Sequence, residues 1–68
     1  MDRYDRQILE ILQREGRISN QELADRVGLS PSPCLRRVRA LEESGLIIDY
    51  RAIVDARALG YKLMAIIL

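Results

Sequence analysis

Apolar positions recur every three to four residues up to Gly45 and every second residue after it. The first spacing gathers them on one side of a helix and the second on one face of a strand. From Asp2 to Glu15, Tyr4, Ile8, Ile11 and Leu12 form the stripe, with Leu9 widening one edge. Asp2 is the N-cap candidate and Asp5 adds favourable charge in the first turn. On the opposite face Asp2, Arg6, Glu10 and Arg14 alternate in sign every four residues, which reads as a solvated ladder of ion pairs.

Gly16 ends this helix. Ser19 and Glu22 then have the S-x-x-E spacing of a capping box, and Ile18 with Leu23 that of a hydrophobic staple. The pattern predicts a short helix from about Asn20 to Val27, with Leu23, Ala24 and Val27 inward and Gly28 as its stop. Only Leu29 and Ser30 separate it from Pro31. Two helices joined by so tight a turn cross at a large angle, the helix-turn-helix arrangement. The third helix carries Ser30 at the N-cap position, Pro31 at the first helical position and Pro33 in the same turn, where a missing N–H costs no intrahelical bond. Cys34, Leu35, Val38 and Leu41 fall inward. Ser32, Pro33, Arg36, Arg39, Ala40 and Glu43 fall on or near the outer face, and Gly45 closes the helix.

After Gly45, Leu46, Ile48, Tyr50, Ala52 and Val54 alternate with Ile47, Asp49, Arg51, Ile53 and Asp55, which predicts a strand. Asp55 to Leu59 reads as one helical turn capped by Asp55 and closed by Gly60. Tyr61 to Leu68 is apolar on both faces, the pattern of a strand covered on both sides. Three short helices cannot fill their own core and cover it as well, so a sheet-containing domain is expected after Gly60. The organisation is therefore a helix-turn-helix unit at 1–45, a linker strand and turn at 46–60, and the first strand of a further domain at 61–68.

Composition narrows the chemistry. With 49% hydrophobic and 31% charged residues the chain is globular, and its 68 residues make one small domain. One cysteine and no histidine exclude a disulfide framework and a zinc site within one chain. No signal-peptide pattern and no apolar run near 18 residues is present, so a soluble cytoplasmic protein away from membranes is expected. There is no histidine base, no glycine-rich phosphate loop and no carboxylate pair outside ion-pairing positions, which argues against an enzyme. Cys34 reads as a small buried thiol.

Net charge is only +1, but its distribution is uneven. Met1–Leu29 holds five arginines against six acids, whereas Ser30–Leu41 holds three arginines and no acid. The third helix thus joins a cationic outer face to short side chains near its start, which lets it approach a large surface closely. The second helix of a helix-turn-helix presents its first turns to the major groove of double-stranded DNA while the first crosses the backbone. Ser32 and Arg36 lie one turn apart on the outer face, and Arg36 can fork onto guanine. Arg37 and Arg39 flank that face and suit phosphates. The N–H groups at Ser19, Asn20 and Gln21 and at Ser30 to Ser32 are oriented donors for phosphate as well. The rival reading is a protein-interaction or dimerisation module built from the three helices and the apolar strands. An exposed strand edge at Leu46–Val54 would favour a homodimer or higher homo-oligomer. Leu9, Ile48, Tyr50 and Ile53 are its candidate contacts.

Four runs, DRYDRQIL at Asp2–Leu9, GRISNQELA at Gly16–Ala24, VGLSPSPCLRRV at Val27–Val38 and the L-E-x-x-G-x-I pattern at Leu41–Ile47, together resemble the N-terminal half of the Lrp/AsnC family of transcriptional regulators. The L-S-P-S-P-C-L-x-R-V run at Leu29–Val38 is the most specific part. The resemblance implies a mainly α, winged-helix-like DNA-binding domain with its recognition helix at Pro31–Ser44. It implies dimers or higher oligomers on palindromic or pseudo-palindromic DNA, with the strand at Leu46–Val54 pairing with its mate. It further implies transcription regulation, often of amino-acid metabolism, and a C-terminal α+β (βαββαβ) domain that takes an amino-acid effector. No cofactor or effector is assigned to these 68 residues. Where the family commonly has proline after the aspartate of D-P-x-x-L-G, this chain has Ala56.

Overall fold

The computed structural model describes residues 1–60. Three helices pack each against the other two: α1 (Arg3–Arg14), α2 (Asn20–Val27) and α3 (Pro31–Glu43), followed by the single turn α4 (Ala56–Leu59). The caps set these boundaries. Asp2 accepts a hydrogen bond from the Asp5 N–H at 3.0 Å, and Ser19 Oγ accepts one from the Glu22 N–H at 3.1 Å. Asp55 accepts from the N–H groups of Arg57 and Ala58, which closes α4 on Asp55 as the sequence predicts. Ser30 occupies the N-cap position of α3 with extended backbone, but its hydroxyl makes no capping bond. Pro33 removes one of the two N–H groups such a hydroxyl can take, and the other, at Ser32, is left open.

The core is small and lies where the periodicity puts it. Ile8 from α1, Leu23, Ala24 and Val27 from α2, and Cys34 and Leu41 from α3 are buried. Leu9, Ile11, Leu12, Ile18, Leu29, Val38 and Ile47 surround them, partly covered. Ala24, only 1% exposed, lets α2 lie close to its neighbours. Gly28 adopts φ 78°, a left-handed turn that a side chain would strain, and Leu29 N–H returns to the Ala24 carbonyl at 2.9 Å. That turn sends the chain from α2 directly into α3.

Ion pairs join the helices at two places. Arg26 of α2 pairs with Glu15 at the end of α1 and with Glu22 one turn earlier. Arg37 of α3 pairs with Asp2 and Asp5 at the start of α1, at 2.7 and 3.2 Å. The expected ladder along α1 does not form: none of Asp2–Arg6, Arg6–Glu10 or Glu10–Arg14 closes to an ion pair, and Asp2 turns to Arg37 instead. Exposed pairs gain little against the entropy of holding two long side chains.

The linker also differs from expectation. Leu46–Val54 carries no regular secondary structure, and no strand is present among the described residues. A strand exists by pairing with a neighbour, and the described residues offer none. Instead Tyr50 donates its hydroxyl proton to Glu42 Oε2 at 2.7 Å, which ties the segment to the end of α3. Ile48 and Ile53 are 91% and 101% exposed. The expected strand at Tyr61–Leu68 lies outside the described residues.

Candidate nucleic-acid interface

One cross-helix hydrogen bond organises the outer surface. Asn20, the first residue of α2, donates from Nδ2 to the backbone carbonyl of Pro31, the first residue of α3, at 2.9 Å. The first turns of the two helices therefore lie side by side, and their unpaired backbone donors share one end of the domain. Those donors belong to Asn20 and Gln21 on α2, because Glu22 N–H is already taken by Ser19. On α3 they belong to Ser30 and Ser32. The expectation that Ser30 to Ser32 all donate is narrowed here, since Pro31 has no N–H. Ser19, Gln21, Ser30, Pro31 and Ser32 are exposed, and Asn20 and Pro33 are half-buried.

The three arginines of α3 divide into two kinds. Arg36 and Arg39 are exposed and have no ion-pair partner among the described residues. They continue the face that starts at Ser32. Arg37 points the other way. It is half-buried, donates from Nη1 to both Asp2 and Asp5, and lies 5.0 Å from the centre of the Tyr4 ring. The hydrogen bond to Asp2 leads the causes that raise the Arg37 pKa, so the guanidinium stays charged. Asp2 is in turn held below its ordinary carboxyl range, first by the Asp5 N–H and then by Arg37. In the free chain the guanidinium expected on a phosphate is therefore engaged with α1. Its partners lie at sequence separations of 35 and 32, where no local pattern announces them.

Cys34 is fully buried, and burial pushes its thiol pKa up, which keeps it protonated and unreactive. Among the described residues no helix is long and apolar enough to cross a membrane. Of the residues singled out for copy-to-copy contact, Leu9 lines a groove with Leu12, Gln13, Ile47, Ile48 and Tyr50. Ile53 stands free, and Tyr50 is half engaged through Glu42.

Comparison with known proteins agrees with this geometry. Residues 1–48 match a family model described as winged helix-turn-helix DNA-binding. A leucine-responsive regulatory protein from Rhizobium meliloti is 60% identical over 65 residues, which cover 96% of this chain and 42% of that protein. Two crystal structures share the fold. A transcriptional regulator from Neisseria meningitidis, solved as a complex with L-Met, superposes with a TM-score of 0.85 at 46% identity, over 87% of this chain and 38% of that one. An AsnC family transcriptional regulator from Agrobacterium tumefaciens gives 0.84 at 44% identity, over 87% and 39%. The chain thus spans about two fifths of the length of the relatives it matches. These relatives are regulators, not enzymes.

Proposed function

Because the chain belongs to the Lrp/AsnC family of winged helix-turn-helix DNA-binding regulators, we propose that it binds double-stranded DNA sequence-specifically through the first turns of α2 and α3 and so regulates transcription. The observation that carries this is the surface itself: two helix N-termini held side by side, with Arg36 and Arg39 exposed and unpaired beside them. In this reading α3 enters the major groove, Ser32 and Arg36 face base edges, and Arg39 takes a phosphate. Ser19, Gln21 and Ser30 add hydroxyl, amide or N–H donors to the backbone, while Pro31 and Pro33 fix where α3 begins. Arg37 holds α3 to α1 and is left off the DNA.

The chain acts as a homodimer or higher homo-oligomer in the cytoplasm, on a palindromic or pseudo-palindromic site. Support comes from the unpaired Leu46–Val54 segment, whose Ile48 and Ile53 have no cover in one copy. Pairing that segment with a second copy would give it the neighbour a strand needs. Leu9 and Tyr50 border the same groove. The leucine in the name of the Rhizobium relative and the L-Met in the Neisseria structure support an amino acid as the effector of the full-length regulator and amino-acid metabolism as its target. No residue of this chain is assigned to it.

The test is selection from random DNA at two salt concentrations, with sedimentation of the free chain. The expected result is a two-fold symmetric site with half-sites about one helical turn apart, roughly 34–36 Å. Recovery of no preferred sequence would refute specific binding, and a single unrepeated half-site with a monomer in solution would refute the dimer.

A further inference from the structure

The Asn20 amide is half used. Its Nδ2 reaches the Pro31 carbonyl, while its Oδ1 is buried and has no hydrogen-bond partner. For stability alone this is a poor arrangement, since an apolar side chain of similar size would bury no unsatisfied oxygen. What the amide supplies is direction. The turn joins α2 to α3 through the left-handed Gly28 and the Leu29–Ala24 bond, and Leu23, Ala24 and Val27 share a core with Cys34 and Leu41, but that apolar packing has no direction of its own. Asn20 lies at the other end of α2, seven residues before Val27, or roughly 10 Å along the axis. Non-directional packing lets one helix rotate or slide a little on another. A directional bond from the far end of α2 restricts that adjustment, and its attachment point on α3 is the residue that starts the recognition helix.

We propose that Asn20 is a positioning residue for base readout, a clamp that sets the angle of α3 against α2 and so the reach of Ser32 and Arg36. This rests on the DNA-binding reading above and refines it: Asn20 acts through α3 and spends its side-chain donor inside the protein, where a phosphate contact would spend it outside. The cleft beside it is lined by Leu12, Ile18, Leu23, Leu35 and Val38 and by Tyr50, whose hydroxyl proton is already given to Glu42.

The test uses the 68-residue chain with Asn20→Ala and Asn20→Asp. Alanine removes the donor. Aspartate favours the first turn of a helix but sets a carboxylate against the Pro31 carbonyl, so it separates helix stability from the clamp. Each variant is checked by circular dichroism and its melting temperature. Binding is then measured to the selected site, to the same site with the base opposite Arg36 changed, and as a function of salt. The expected result is a loss of discrimination between the two sites of about tenfold, in line with one lost directional bond and its consequence for reach. The salt slope stays as in the wild type, because no phosphate contact is removed. Unchanged discrimination in either folded variant overturns the proposal. A uniform loss on both sites with a shallower salt slope also overturns it, and makes Asn20 a backbone contact. If Asn20→Ala does not fold, Asn20→Asp carries the test. A wild-type chain that itself shows no preference would mark failure of the DNA reading, not of the clamp.

Discussion

Replacing the three arginines of α3 one at a time separates charge that meets DNA from charge that holds the fold. Arg36, Arg37 and Arg39 sit within four residues of one another, and each alanine variant lowers the net charge by one. A long-range electrostatic effect is therefore common to all three. Their local settings are not. Arg39 is exposed with no ion-pair partner among the described residues, while Arg37 is held by Asp2 and Asp5 and lies over Tyr4. Each phosphate contact contributes about 0.9 to the slope of log K against log salt. Between 50 and 200 mM salt, one lost contact then changes the salt sensitivity of K by about 3.5-fold, and one in each of two protomers by about 12-fold. Arg39→Ala is expected to show that shallower slope. Arg37→Ala is expected to keep the wild-type slope, lower the melting temperature, and weaken binding only through the altered seat of α3 on α1. Fluorescence anisotropy on one duplex at five or six salt concentrations reads all three variants. The reasoning is refuted if Arg37→Ala flattens the slope as much as Arg39→Ala, since the guanidinium must then leave its carboxylates for a phosphate.

Other outcomes follow from the core and the caps. Ile8, with no exposed surface, is the central residue of α1, and Ile8→Ala is expected to cost about 2–5 kcal/mol. At about 4–8 °C per kcal/mol for a domain of this size, calorimetry should record a fall of at least about 8 °C. Cys34→Ser places a hydroxyl in a fully buried apolar site and should destabilise by about 1–3 kcal/mol, whereas thiol reagents should label Cys34 only on unfolding. On acidification, Asp2 and Glu15 matter because both are held below their ordinary values of 3.8 and 4.5, Asp2 by the Asp5 N–H and Arg37, Glu15 by Arg26. A depressed folded pKa stabilises above the unfolded value and is lost below it, so melting temperature should hold from pH 7 to 5 and drop from about pH 4.5 downward. At the other end, burial and the bond to Glu42 push Tyr50 up from 10.0 to about 12. Its contribution is present below pH 10 and lost through about pH 12, which absorbance of the phenolate can follow.

The helices were legible because their signals are local. The stripe of Tyr4, Ile8, Ile11 and Leu12, the Ser19 cap, the Gly28 stop and the Asp55 turn are all written within four or five residues of where they act. Ser30 shows the limit of such signals: residue type and position are those of a cap, but the proline three residues on removes one of its two possible donors and no capping bond forms. Long-range partners left no trace. Nothing near Arg37 names Asp2, and nothing near Asn20 names the Pro31 carbonyl. Both residues look, in sequence, like donors available to DNA, and both spend side-chain donors inside the protein. Leu46–Val54 is the opposite case. Its alternation describes what a strand would bury, but pairing needs a second strand, and none is present among the described residues.

The central claim is that α3 reads base edges through the exposed residue Arg36. It is tested most directly by measuring wild-type and Arg36→Ala binding to a panel of duplexes carrying every single-base change in the selected site. The expected result is relaxed preference at one position of each half-site, a loss of about 1–3 kcal/mol of discrimination there with the other positions unchanged. An equal loss of affinity on every sequence would contradict it and leave Arg36 as one more charge near the backbone.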